Sequence, residues 1–418
     1  MQQFCQYGSV RGATGNRRPY RDKSYTLKVL GVTRVYAAPF AAYQLALHGA
    51  EVINIEDPGG GDTTRTGGGP NCRPYIEKGM SPPFLAHAAG KKSMTLNLRI
   101  NEGKAIFRQL AAAADILIEN LRGGSMDAMG LGYQDIRAIN PRIIYASLTG
   151  YGHVGPNKRD AEIDPVIQAA SGLMSLTGKP ESEPVKVGAT VADYASGLAL
   201  TVGILTALFH RERTGGGQHV DVSMPMSDVM NGGLEPKLNG NRSANGAHVN
   251  DVFPCADGRF VMISANKANL REKLWKALER PDIPLDPRFR DLEAMRANYD
   301  ALYVEIERTT RARPAQEWED RLNAAGVPCM KVNTLAEVVR HPQLEARGFF
   351  QSFENVHAFA GRIDVPLTSY RLSATPPHAD TPPPALGAHT GEILRGLGYA
   401  DADIEKLRQN GTIGGSGG

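Results

Sequence analysis

The chain has 418 residues, of which 41% are hydrophobic, enough to bury a large core and to predict two domains. Its formal net charge of +3 is small for this length and argues against a nucleic-acid binder, whose affinity rests on a strong basic field. No run of about 18 apolar residues occurs, so no membrane span is expected. The 4 cysteines (Cys5, Cys72, Cys255, Cys329) and 10 histidines show neither CxxC nor HExxH spacing, which argues against a disulfide framework or a metal site and fits a reducing compartment.

Residues 1–25 are rich in arginine, nearly free of acids and without an apolar stretch; they read as a flexible N-terminal extension and not as a secretory signal. Beyond them, β-type and helical runs alternate. Residues 25–32 read as a strand, 37–48 as a helix, 51–56 and 93–98 as strands, and 102–114 as an alanine-rich helix. Residues 115–119 form a short apolar strand, and 142–148 repeat that pattern after an Asn-Pro turn. Such alternation predicts an α/β fold with a parallel sheet covered on both faces, and a nucleotide-like ligand at the carboxyl ends of its strands. The usual dinucleotide site fails a direct test: after the first strand the chain reads Arg34-Val-Tyr-Ala-Ala-Pro, with no GxGxxG. The runs Gly59-Gly-Gly-Asp62 and Gly67-Gly-Gly-Pro70 lack the Lys-Ser/Thr of a P-loop and read as loops.

Past residue 225 the alternation stops. Residues 251–264 read as a hairpin around 256–258, helical charged stretches run to about 325, and 326–332 resume a strand. The last helices are expected at 390–397 and near Ile404. The domain expectation is a large domain over 26–224, a small domain over 225–340, a return segment over 341–411 that completes the large domain, and a disordered tail at 412–418.

Asp193 stands at the head of an apolar stretch, within Val-Gly-Ala-Thr-Val-Ala-Asp-Tyr-Ala-Ser-Gly at 187–197. Taken locally, such an aspartate is an N-cap, and the apolar run at 198–209 is a short buried core helix. Other segments bear on it in chain order: 49–56 with Gly61-Asp62 and Arg65, Lys91-Lys-Ser93, Leu96-Asn-Leu98, Ile118-Glu-Asn-Leu121 and Met129-Gly-Leu131. Then come 140–144, Gly150-Tyr-Gly152, 168–174, 211–224, Gly326-Val-Pro-Cys329, His341-Pro-Gln-Leu344 and Gly387-Ala-His-Thr390. Over about 27–411 this series resembles the family III (CaiB/BaiF-type) CoA-transferases, with formyl-CoA transferase and L-carnitine CoA-transferase as examples.

The resemblance implies a Rossmann-like large domain plus a smaller α+β domain, paired in an interlocked cytoplasmic homodimer (or one in an organellar matrix, in a eukaryote). It implies an acyl-CoA and a carboxylic acid as substrates, with no permanent cofactor, metal, nucleic acid or membrane partner. Asp193 is the implied nucleophile, kept ionised by the helix N-terminus. Val35, Tyr36, Ala37, Leu96, Arg99, Asn120 and Leu121 are the implied CoA contacts. Asp57 and Ala128 stand where the family pattern has arginines, so Arg65, Arg122 and Lys92 are assigned to the CoA phosphates. Tyr36 replaces a glutamine, and 239–248 replaces a glycine run, of the formyl-CoA enzymes. A dicarboxylic acid other than oxalate is therefore expected, its free carboxylate met by Arg242, Lys237 or His248. The alternatives are a 2-methylacyl-CoA racemase, which needs a histidine where Ile163 stands, and a non-catalytic structural subunit of a hetero-oligomeric CoA-transferase, which would lack the nucleophile.

Overall fold

The computed structural model describes residues 26–178, 182–225, 249–356 and 361–414. The expected extension at 1–25, the loop at 239–248 and the candidates Lys237, Arg242 and His248 lie outside the described residues. The chain divides into two compact units, one of Met1–Met174, Lys186–Gly233 and Gly348–Gly418, the other of Ser175–Val185 and Leu234–Arg347. The second thus takes in 175–185 and runs on to 347, where the sequence reading has 225–340.

In the first unit, β1 (Lys28–Val32), β2 (Glu51–Glu56), β3 (Lys91–Thr95), β4 (Ile116–Glu119), β5 (Ile144–Thr149) and β6 (His219–Ser223) form one sheet in the order β3-β2-β1-β4-β5-β6. Every neighbouring pair is parallel. Successive strand residues point to opposite faces, and both faces are covered. Leu30 and Val32 pack with Ile106, Phe107 and Leu110 of α3 (Asn101–Ala112) on one side. Val29 packs with Ala38, Ala41 and Ala42 of α1 (Ala37–Leu47) and Leu200, Ile204 and Ala207 of α5 (Val191–Thr214) on the other. Between them in the chain lie α2 (Pro82–Ala88) and α4 (Asp164–Ala170). Chain order reverses on either side of β1, so β1 and β4 flank a topological switch point whose crevice opens at their carboxyl ends.

Helix α5 has 24 residues, so it is neither short nor wholly buried as the sequence reading has it. By length and composition alone it could cross a bilayer, but one of its faces is part of the sheet's core. Its first turns lie against α1 because residue 197 is glycine: a Cβ there would stand 2.6 Å from the Ala37 carbonyl oxygen. That close approach brings Asp193, one turn earlier, to the β1–α1 loop.

Two further expectations need correction. The third strand is Lys91–Thr95 and not 93–98, since its ladder with β2 runs from Val52–Lys91 to Glu56–Thr95 and takes in a fully buried lysine. The tail expected as disordered from 412 is ordered to Gly414. Thr412 and Ile413 are buried, the Asn97 N–H donates to the Thr412 carbonyl at 2.8 Å, and the Gly414 N–H donates to Thr95 Oγ1 at 3.1 Å.

The second unit carries the hairpin read from the sequence: β7 (Val249–Pro254) pairs antiparallel with β8 (Phe260–Ala265), and β9 (Cys329–Lys331) adds antiparallel to β8. Phe253, Ile263, Trp275 and Trp318 are among its core. In the first unit, β10 (Phe350–Glu354) and β11 (Arg362–Pro366) form a separate antiparallel pair.

Candidate active site

The N-terminus of α5 is capped from a distance. Thr190, which precedes the helix, makes no side-chain cap. Instead Oδ2 of Asp164, at the start of α4, accepts from the backbone N–H groups of Ala192 (2.9 Å) and Asp193 (3.2 Å). Gln168, one turn along α4, donates from Nε2 to Asp164 Oδ1 at 2.5 Å and accepts from the Val187 N–H at 3.0 Å. The capping work that local sequence assigns to Asp193 is therefore done by a residue 29 positions earlier. Among the described residues nothing donates a hydrogen bond to the Asp193 carboxylate, which is only 9% exposed.

This arrangement corrects the expectation of an ionised Asp193. Burial first, then the charges of Asp164 and Glu162, push its carboxyl up to about 7. The helix terminus gives little relief, because its free N–H groups are already bonded to a second carboxylate.

The β1–α1 loop beside Asp193 is held from two sides. Val35 has φ 64°, a left-handed conformation costly for a β-branched residue. Asp62 Oδ2 accepts from its N–H at 2.9 Å and Asp62 Oδ1 from the Thr64 N–H at 2.7 Å. Asn120, just past β4, accepts from the Arg34 N–H at 2.7 Å and donates to the Arg34 carbonyl at 2.9 Å. The side-chain amide of Asn120 thus gives one donor and one acceptor to the loop backbone and keeps a second N–H. Ala37 is buried, its carbonyl against Gly197. The ring of Tyr36 lies 6.4 Å from that of Tyr194. Burial, then Asp193, then Asp62 push the Tyr36 phenol above its ordinary value, and burial with Tyr36 and Asp193 pushes Tyr194 up to about 12.

At the carboxyl ends of β1 to β4 a groove of about 500 Å³ is lined by Arg34, Leu96, Arg99, Leu121 and Arg122. Four of the expected CoA residues meet here. Asp57 and Ala128, the positions that depart from the family pattern, line it too. Arg34 was missed by sequence reasoning; its signal is its place directly after the first strand at the switch point. Arg122 donates from Nε to the Arg159 carbonyl at 2.8 Å.

Two expected phosphate ligands are elsewhere. Arg65 is 1% exposed and fully committed: Nε and Nη2 donate to Glu56 at 2.7 and 2.8 Å, Nη1 donates to the Pro384 carbonyl at 3.2 Å, and the guanidinium lies 3.8 Å from the Phe84 ring centre. Lys92 is neutralised between Glu51 (2.9 Å) and Glu392 (2.8 Å). Among the described residues no group of three His, Cys, Asp or Glu side chains is arranged to hold a metal ion.

Residues 26–390 match the family model for CoA-transferase family III. Acetyl-CoA:oxalate CoA-transferase of Acetobacter aceti is 38% identical over 332 residues, covering 77% of this chain and 83% of that protein. Human succinyl-CoA:glutarate CoA-transferase is 33% identical over 399 residues, covering 93% and 89%. A CAIB/BAIF family protein from Brucella suis superposes with TM-score 0.76 at 34% identity over 89% of this chain and 98% of that one. Rv3272 from Mycobacterium tuberculosis superposes with TM-score 0.77 at 32% identity over 88% and 97%. The chain is a transferase enzyme and belongs to CoA-transferase family III.

The buried acid has a thermodynamic signature. Its folded-state pKa of about 7 lies above the ordinary 3.8, so the folded state holds this proton more tightly than the unfolded chain. The resulting stabilisation is full below the ordinary value and is lost as pH rises through about 7. Asp193→Asn is therefore expected to raise the midpoint of urea unfolding over wild type at about pH 8 and to change it little at about pH 4. Equal shifts at both pH values would contradict the raised pKa.

Proposed function

We propose that the protein transfers CoA from a short acyl-CoA thioester to a dicarboxylic acid, with Asp193 as nucleophile. The observation that carries this reading is a buried carboxylate, relieved of capping by Asp164 and, among the described residues, left without a hydrogen-bond donor, beside the β1–α1 loop at the sheet's switch point. The names of the relatives support the substrate class: oxalate for one, glutarate and D-citramalate for others.

The chemistry needs no proton transfer. An Asp193 oxygen attacks the thioester carbonyl, the C–S bond breaks, and CoA leaves as thiolate from a mixed anhydride. The thiolate attacks the aspartyl carbon and expels the donor acid as carboxylate, which leaves an aspartyl-CoA thioester. The acceptor carboxylate attacks that thioester, and the returning thiolate attacks the acceptor's acyl carbon, which regenerates the Asp193 carboxylate. A raised pKa makes the ionised form a stronger nucleophile while leaving about half of it ionised at pH 7. Arg34, Arg99 and Arg122 supply positive charge along the groove for the CoA phosphates.

Racemisation finds no support at the position it requires. Ile163 directly precedes Asp164 and its side chain is exposed, but it carries no group able to move a proton.

We also place the protein in a homodimer. Leu198, Val202, Leu205 and Phe209 are 49, 63, 52 and 60% exposed. Their spacing of i, i+4, i+7 and i+11 makes them one apolar stripe along α5. A second copy would cover it.

Asp193→Ala is expected to abolish CoA exchange while the protein stays folded. Wild type treated with succinyl-CoA and then hydroxylamine should be modified at Asp193 alone, as read by peptide mass spectrometry. In a panel of acids, four- and five-carbon dicarboxylates should give higher kcat/KM than oxalate or formate, and solvent deuterium should not enter Cα of a 2-methylacyl-CoA. Activity retained by Asp193→Ala would refute the nucleophile, and label at Cα would favour racemisation.

Sedimentation should show a dimer that persists on dilution, as an interlocked pair requires. A monomer appearing at micromolar protein would contradict the interlocked assembly.

A further inference from the structure

His87 has no part in the chemistry above, yet it packs against Tyr194, the residue that follows Asp193. It is buried on α2, with its ring 5.5 Å from Tyr194, 6.1 Å from Tyr36 and 5.7 Å from Phe40. Its Nε2 is 3.1 Å from the Tyr194 hydroxyl oxygen. Its Nδ1 is buried with no partner among the described residues. A buried polar atom of this kind calls for an explanation.

His87 borders a cavity of about 20 Å³, room for one water, with Lys91, Asp62 and Glu56 also on its wall. Lys91 is buried, which pushes its amine down to about 7, and it donates from Nζ to the Pro39 carbonyl at 2.8 Å; as an ammonium it has two further N–H groups. The acceptors nearby are largely taken. Glu56 receives Arg65 twice, Ser93 and the Asp62 N–H. Asp62 receives the Val35 N–H and both the N–H and hydroxyl of Thr64. Donors are in surplus here. A water in this cavity would accept from Lys91 and donate to His87 Nδ1, which fixes the imidazole proton on Nε2.

From Nε2 that proton is donated to the Tyr194 oxygen, so the hydroxyl proton of Tyr194 is left for another acceptor. Burial and the Lys91 charge push His87 down to about 3, which keeps the ring neutral, with one N–H to donate and one nitrogen to accept.

We propose that Tyr194 is a further catalytic residue: its hydroxyl, oriented by His87, donates a hydrogen bond to the oxygen that gathers negative charge when a carboxylate attacks or leaves the acyl carbon at Asp193. The inference rests on Asp193 being the nucleophile. His87 acts through Tyr194 and is a positioning residue. The hydrogen bond strengthens as charge develops, so it lowers the barrier more than it tightens substrate binding.

The test is steady-state transfer from succinyl-CoA to glutarate by the full-length chain. Tyr194→Phe keeps the ring beside Phe40, whose centre is 5.1 Å away, and removes only the hydroxyl. It is expected to lower kcat by roughly 10- to 100-fold with KM for succinyl-CoA changed less than about threefold. His87→Leu should give a comparable loss, His87→Gln, which keeps a donor, should recover part of it, and His87→Leu added to Tyr194→Phe should cost nothing more. If His87→Leu does not fold, Tyr194→Phe alone decides. Tyr194→Phe at wild-type kcat, with Asp193→Ala inactive, would overturn this inference and leave the nucleophile standing. Wild type inactive toward every acid of the panel would overturn both.

Discussion

The two hydrogen bonds from the start of α5 to the Asp164 carboxylate shape everything else at this site. They satisfy the helix donors that an aspartate at position 193 would otherwise take for itself. They also place a second negative charge beside Asp193, in surroundings from which water is largely excluded. The result is a carboxylate that is unbonded among the described residues and unusually basic, two properties that a carboxylate nucleophile uses and a folded protein would not otherwise favour.

The same economy runs through the flanking loop. Val35 is held in a strained conformation because Asp62 bonds its own N–H and Asn120 bonds both backbone groups of Arg34 before it. Asp62 is in turn fixed by Thr64 and by the Glu56 carboxylate, which carries Arg65. Two kinds of arginine follow from this. Arg65 is an internal brace, its charge cancelled by Glu56. Arg34, Arg99 and Arg122 line the open groove.

The architecture was legible because a doubly covered parallel sheet writes itself as apolar runs alternating with helices; 51–56 and 115–119 read as strands for that reason. Asp193 was legible because several short segments stand in a recognisable order around it. What escaped lies in contacts distant along the chain. No local pattern shows that residue 164 caps a helix beginning at 191, or that Glu56 and Arg65 bury each other's charge. Charged residues read by default as exposed, which is why the sequence points to Arg65 and Lys92 as phosphate ligands and starts the third strand after buried Lys91. The positive φ of Val35 had no signal, since glycine is the residue that announces such a position.

The central claim is that Asp193 is kept basic by its burial beside Asp164. Its carboxylate stretch can be followed by infrared difference spectroscopy, wild type minus Asp193→Asn, from about pH 4 to pH 9. The account predicts a single titration with a midpoint near 7, shifting downward in an Asp164→Asn background. A midpoint near the ordinary value of 3.8 in the wild-type protein would contradict it.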